Sequence, residues 1–223
     1  MKNEELGVIR RIASVVGHEL RNPLAVINNS AYFLKTKLGQ DGRLDPKVDK
    51  HLGIVSSEIG RLNGMIEDIL IYSRPMEIEK EPLDLAPIVA AAAAALAPPS
   101  TVKLEVKAPK KGLDVAGDEK LLGDAVRRLL DNAVQALPDG GKIVLSAEAG
   151  AKEVVVTVED DGKGFETKAL ELFGQAFATT KPRGLGLGLA MTRKVMEAHG
   201  GRLEGGNKKG AGACVKLVLP KHG

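Results

Sequence analysis

From Leu6 to Leu38, apolar residues recur at positions 6, 9, 13, 16, 20, 24, 27, 31, 34 and 38. Steps of three and four keep one face of an α-helix apolar, here over about nine turns. A second series, Val48, Leu52, Val55, Ile59, Leu62, Ile66 and Ile69, keeps the same steps. Between them Gly39 ends one helix, while Asp45-Pro46 supplies an N-cap followed by proline at the first helical position. Ser73-Arg74-Pro75 stops the second helix, because proline disfavours helical geometry in the residue before it. Residues 1–75 therefore read as an antiparallel helical hairpin. Two helices leave part of a shared apolar stripe wet, so a homodimer through residues 1–75, forming a four-helix bundle, is the expected solution.

After Pro75 the period changes. An alanine-rich helix at about 86–97 leads to short alternating runs, Val102–Val106 and Leu113–Val115. A helix from about Asp118 to Leu137 carries Leu121, Leu122, Ala125, Val126, Leu129, Leu130 and Ala133, and Pro138-Asp139-Gly140-Gly141 ends it. Strands follow at about 142–148 and 153–159, then a glycine-bearing loop, a helix at about 186–199, and strands near 202–205 and 213–219. This order predicts a second domain, residues 76–223, built as an α+β sandwich with helices on one face of a mixed sheet. No internal repeat is evident.

Composition narrows the function classes. The 223 residues are 43% hydrophobic and 27% charged, as expected of a folded chain. Net charge is +3, spread as +1 over the first eighty residues and +2 over the rest. Neither part concentrates the positive charge that a phosphate backbone rewards, and six aromatic residues without tryptophan make a poor base-stacking platform. Nucleic acid is therefore not an expected partner. One cysteine, Cys214, excludes an internal disulfide and points to a reducing, cytoplasmic setting. The longest apolar run, Ile88–Ala97, is too short to span a bilayer, so no membrane contact is expected of this segment. Met1-Lys2-Asn3-Glu4-Glu5 is not a signal peptide.

The 26 glycines carry information through their positions. The strand at 153–159 runs into Asp160-Asp161-Gly162-Lys163-Gly164, and Gly184-Leu185-Gly186-Leu187-Gly188-Leu189 opens the 186–199 helix. Alternating glycines at a helix N-terminus let backbone amides approach a phosphate, where the helix dipole also favours negative charge. Asn132 is a poor choice for a helix interior, and its carboxamide oxygen suits a hard cation such as magnesium that is shared with phosphate oxygens. In the first helix His18 lies two residues from Val16 and two from Leu20, and so projects opposite the apolar stripe. Asn22 is one turn further on the same face. Pro23 cannot donate to the carbonyl of Glu19, so the helix is expected to bend or loosen there. His51, His199 and His222 read as solvated side chains.

These residues resemble those of the sensor histidine kinases of two-component systems. Gly17-His18-Glu19-Leu20-Arg21-Asn22-Pro23-Leu24 is similar to the family's phosphoacceptor H box. Asn132 in its helix, Asp160–Gly164, Phe173–Lys181 and Gly184–Leu189 resemble the N, G1, F and G2 boxes of its catalytic domain, in the family's order, and the resemblance runs from about Leu6 to Pro220. It implies the Hsp90-like ATPase sandwich and an ATP site formed by Asn132, Asp160, Gly162, Gly164, Lys181, Gly184, Leu185, Gly186, Leu187 and Gly188. Asp160 would accept from the adenine amino group, Asn132 would help hold Mg2+, and Phe165–Arg183 would form a mobile lid. His18 would be the phosphoacceptor, Glu19 its proton partner, and Asn22 the residue behind any reverse phosphatase activity. A response-regulator receiver domain would take the phosphoryl group. The absence of a sensor segment fits the cytoplasmic part of a larger membrane-bound sensor.

Some positions depart from the family pattern. Arg128 stands where a second asparagine is common, Gln135 where a basic residue is frequent, and Asp161 where asparagine is usual; the last adds negative charge near the nucleotide. In the F box, Ala176 and Ala178 replace bulkier residues, which predicts looser lid packing. Two other classes compete. A non-kinase ATPase of the same fold would need a general base where Arg128 stands and has no use for an H box hairpin. A degenerate dimeric scaffold would bind nucleotide without transfer.

Overall fold

The computed structural model describes residues 3–40, 42, 44–179 and 185–222, with side chains from residue 20 onward. The chain divides into two compact units, Met1–Pro75 and Met76–Gly223.

The first unit is a hairpin of α1 (Asn3–Gln40) and α2 (Pro46–Ser73). Asp45 caps α2 by accepting from the amide of Lys47, with Pro46 in the first turn. Ion pairs Arg21–Glu67 and Lys35–Asp49 join the helices in antiparallel register. Helix α1 runs through Pro23 as one element; a single missing ladder bond does not end a helix held along its length by a partner. Ile66 and Leu70 are buried, with Leu24 and Ile69 packed on them. Ala31 and Ile59 are also buried, whereas Leu20, Ile27 and Leu34 on α1 and Val48, Val55 and Leu62 on α2 are exposed. Each exposed set has a seven-residue spacing, so one seam of the apolar stripe has no partner among the described residues of the hairpin.

The second unit contains β1 (Glu81–Asp84), α3 (Leu85–Ala95), β2 (Val102–Lys107), β3 (Asp114–Gly117), α4 (Glu119–Gln135), β4 (Gly141–Ala149), β5 (Glu153–Asp160), α5 (Thr167–Glu171), α6 (Gly188–Ala198), β6 (Arg202–Asn207) and β7 (Ala213–Pro220). The main sheet has the order β2-β4-β5-β7-β6; β2 and β4 are parallel and the other pairs antiparallel. A two-stranded sheet pairs β1 with β3. Inward residues of the main sheet, among them Ile143, Leu145, Val156, Val158 and Leu217, share one core with Val89 of α3, Leu122, Leu129 and Leu130 of α4, and Met196 of α6. This is the mixed sheet with helices on one face that the element order implies. Strand β1 and the short helix α5 have no counterpart in the periodicity. Among the described residues no helix is long and apolar enough to cross a membrane.

Candidate functional site

The alternation of β5 sets the first functional group. Val154, Val156, Val158 and Asp160 are its buried positions, so the strand's period of two carries a carboxylate onto the core side at its last residue. Asp160 is 6% exposed. Its Oδ1 accepts from the amides of Gly162 (2.9 Å) and Ala213 (3.2 Å). Among the described residues nothing donates to Oδ2. One oxygen is thus fixed by the backbone, and the other is the acceptor left for a ligand.

The turn after β5 is shaped by close approach. A Cβ on Gly162 would lie 2.7 Å from the carbonyl oxygen of Ala136 at the end of α4, so only glycine lets the turn sit against that helix. Gly164 has φ +74°, and a Cβ there would lie 2.6 Å from Asn207 Oδ1. The carboxamide of Asn207 grips the next residue, accepting from the amide of Phe165 (2.6 Å) and donating to its carbonyl (2.8 Å). Asn207 is a residue that the sequence reading passes over, because its partner lies 42 positions away. Asp161, expected to add charge beside the nucleotide, ties the turn to the neighbouring strand, its Oδ1 accepting from the amide of Lys142 (2.8 Å) at the start of β4.

Asn132 follows Leu129 by three residues on α4, at the flank of that helix's buried face. Its Nδ2 lies 3.7 Å from where a Cβ on Gly188 would stand. Asn132 therefore meets the N-terminus of α6, whose first helical residue is Gly188. Gly186 has φ +68°, and a Cβ there would fall 2.5 Å from the carbonyl oxygen of Ala178. Leu185 is half-buried, while the side chain of Leu187 is in the core, so Leu187 can offer a ligand only its backbone. Asn132, Asp160, Gly162, Gly164, Leu185, Gly186, Leu187 and Gly188 thus come from α4, the β5 turn and the entry to α6. Lys181 and Gly184 lie outside the described residues, as do the side chains of His18 and Glu19, although both of the latter belong to α1. Asn22 is exposed on α1.

The expected lid, Phe165–Arg183, falls partly outside the described residues, and its first part is anchored. The Phe165 and Phe173 rings meet edge to face with centroids 5.4 Å apart and pack on the core. Phe173 also lies directly on Gly205 of β6, where a Cβ would overlap its ring. Phe177, by contrast, is exposed with φ +64°, a conformation uncommon for a bulky residue.

Two other residues settle into structural roles. His199 is 3% exposed and not solvated: its Nε2 accepts from the amide of Asp118 (2.9 Å), which fixes Nδ1 as the donor to the carbonyl of Val195 (2.7 Å). Burial, followed by the nearby charge of Glu159, pushes the Cys214 thiol up, which lowers its thiolate fraction.

Among the described residues no three His, Cys, Asp or Glu side chains cluster to hold a metal by themselves. A lone carboxamide facing a helix N-terminus is a donor set for magnesium only together with phosphate oxygens and water, and that pairing fits this site.

Family models match both units. Residues 8–77 match the His Kinase A (phospho-acceptor) domain, and residues 117–223 match the histidine kinase-, DNA gyrase B- and HSP90-like ATPase. The chain belongs to the sensor histidine kinases. It is 29% identical over 225 residues to sporulation kinase A of Bacillus subtilis (strain 168), covering 99% of this chain and 36% of that protein. The chain thus spans about a third of that relative's length. Among solved structures, full-length ShkA in complex with AMPPNP aligns with a TM-score of 0.75 at 22% identity, over 94% of this chain and 45% of that one. Histidine kinase ThkA in complex with the response regulator TrrA aligns with a TM-score of 0.71 at 24% identity, over 98% and 64% respectively. At those identities the two structures establish the shared fold of both units.

Proposed function

We propose that the chain is an ATP-dependent autophosphorylating core. Asp160 Oδ2 accepts from the adenine amino group, the entry to α6 receives the phosphates, and His18 is the phosphoacceptor. The observation that supports this most directly is the meeting of α4, the Asp160–Gly164 turn and Gly188, which puts a base acceptor, a carboxamide and a helix N-terminus in one unit. Asn132 would hold magnesium, which supplies charge neutralisation on the phosphates when bound. Residues of the chain do the rest. A nitrogen of neutral His18 forms a bond to the γ-phosphorus, the bond to the bridging oxygen breaks and ADP leaves with the electron pair. The proton on the other imidazole nitrogen passes to Glu19. Rate comes from alignment and charge stabilisation rather than from covalent chemistry by other side chains.

The phosphoryl group then passes to an aspartate of a response-regulator receiver domain, with Asn22 as the residue for any reverse hydrolysis. The ThkA structure, solved with a response regulator, supports that class of partner. The domain roles follow: residues 1–75 dimerise and carry the acceptor, and residues 76–223 bind ATP. A cytoplasmic location is part of the same reading. Incubation with γ-labelled ATP and magnesium tests it. Wild type should gain acid-labile, alkali-stable label and His18→Gln none. Label retained by the variant overturns the acceptor assignment, and free phosphate without protein label favours an ATPase.

A further inference from the structure

We infer that Arg193 is a positioning residue for the triphosphate end of the site, acting by fixing a strap, Phe173–Ala178, across the entry to α6; this rests on the ATP site proposed above. Arg193 lies in the second turn of α6, and long side chains in a helix lean toward its N-terminus. Its Nη2 accordingly donates to the carbonyl of Phe173. Gly174 follows with φ +68°, and a Cβ there would lie 2.8 Å from Arg193 Nε. The guanidinium therefore occupies the space of the missing side chain, and the glycine and the arginine require each other. At its other end the strap reaches Ala178, whose backbone packs on Gly186, two residues before the first residue of α6.

The strap is thus tied at one end to α6 and at the other to the glycine turn that leads into it, opposite Asn132. Between the ties, Phe177 keeps a left-handed backbone and an exposed ring. Such a conformation is uncommon for a non-glycine residue and is set by its surroundings rather than by its own preference. Removing the Arg193 tie frees the Phe173 end of the strap and loosens with it the surface that Ala178 presents to Gly186. The base end is held separately: Asp160 is fixed by Gly162 and Ala213, and Phe165 by Asn207. Loss of Arg193 should therefore affect the phosphates and spare the base.

The test compares binding of magnesium-ATP and of adenosine to the full chain, as wild type, Arg193→Ala and Arg193→Lys, with amide hydrogen exchange of residues 174–178. For Arg193→Ala the expected result is ATP affinity lowered by roughly tenfold, the scale of a lost charged hydrogen bond. Adenosine affinity should be unchanged and exchange in the strap faster. Arg193→Lys, which keeps a cationic donor, should recover part of the ATP affinity. Equal ATP affinity in Arg193→Ala overturns the inference, as does equal loss of ATP and adenosine, which marks a merely structural role. A wild-type chain that binds neither ligand overturns the ATP site itself, and the inference with it.

Discussion

Because both backbone donors at Asp160 converge on Oδ1, Asp160→Asn should keep its carboxamide oxygen there and put an amide NH2 in place of Oδ2. A donor then opposes the adenine amino group. ATP affinity should fall by about tenfold or more, and the preference for ATP over GTP should disappear, since a 6-oxo purine accepts from the new donor. Nucleotide titration of the variant checks both, and an unchanged thermal midpoint shows that the fold survives. His199 is a structural counterpart. His199→Leu leaves the Asp118 amide without its acceptor, which should lower stability in urea by about 2 kcal/mol. The residue scale is also where sequence reading is weakest. Asp160 and Gly162 stand in a legible motif, whereas His199 at a glycine-terminated helix end looks solvated, and its acceptor role depends on an amide 81 positions away. Asn207 is hidden for the same reason. Asp161 reads in the sequence only as a charge near the nucleotide, and its bond to the Lys142 amide at the β4–β5 join is not legible there.

The helices were legible because their apolar period is long and unbroken, and Asp45-Pro46 and Asp118 mark real starts. Strand β1 was not, because Glu-Pro-Leu-Asp offers four residues, a proline and one large apolar position. What holds it is Asp84, at the junction of β1 and α3. Its Oδ1 accepts from the amides of Ala86 (2.9 Å) and Leu113 (3.0 Å), and its Oδ2 from that of Gly112 (2.8 Å). Burial pushes this carboxyl up, but the three amides together outweigh it and leave it below the usual range. A carboxylate whose folded pKa is depressed contributes stability that is present above its unfolded value and lost as pH falls through the folded one. Asp84→Ala should therefore cost about 1 kcal/mol near neutral pH, and the gap from wild type should narrow below about pH 4. Urea midpoints across that range check it; a gap that stays constant in acid would assign the loss to packing instead.

At the scale of the whole molecule, the seam left open on the hairpin is where a second copy is expected to pack. Leu20, Ile27 and Leu34 and, on the other helix, Val48, Val55 and Leu62 belong to the same apolar series as the buried Ala31, Ile59 and Ile66, yet stay between 37% and 49% exposed. Heptad spacing of such residues matches the seam of a helical bundle and not scattered surface apolarity. A second copy supplies the complementary surface by symmetry, since a two-fold axis sets each open seam against its equal. The chain should then be a dimer at micromolar concentration by light scattering. Ile27→Glu combined with Val55→Glu would put a charge at two points of that seam on every protomer. Uncompensated charge does not enter an apolar bundle, so dimer affinity should fall by about a hundredfold or more. The proposed nucleotide site lies in the other unit, Met76–Gly223, so nucleotide binding should be unchanged in the same variant. A wild-type monomer, or a double variant that stays dimeric, would assign the open seam to a different partner.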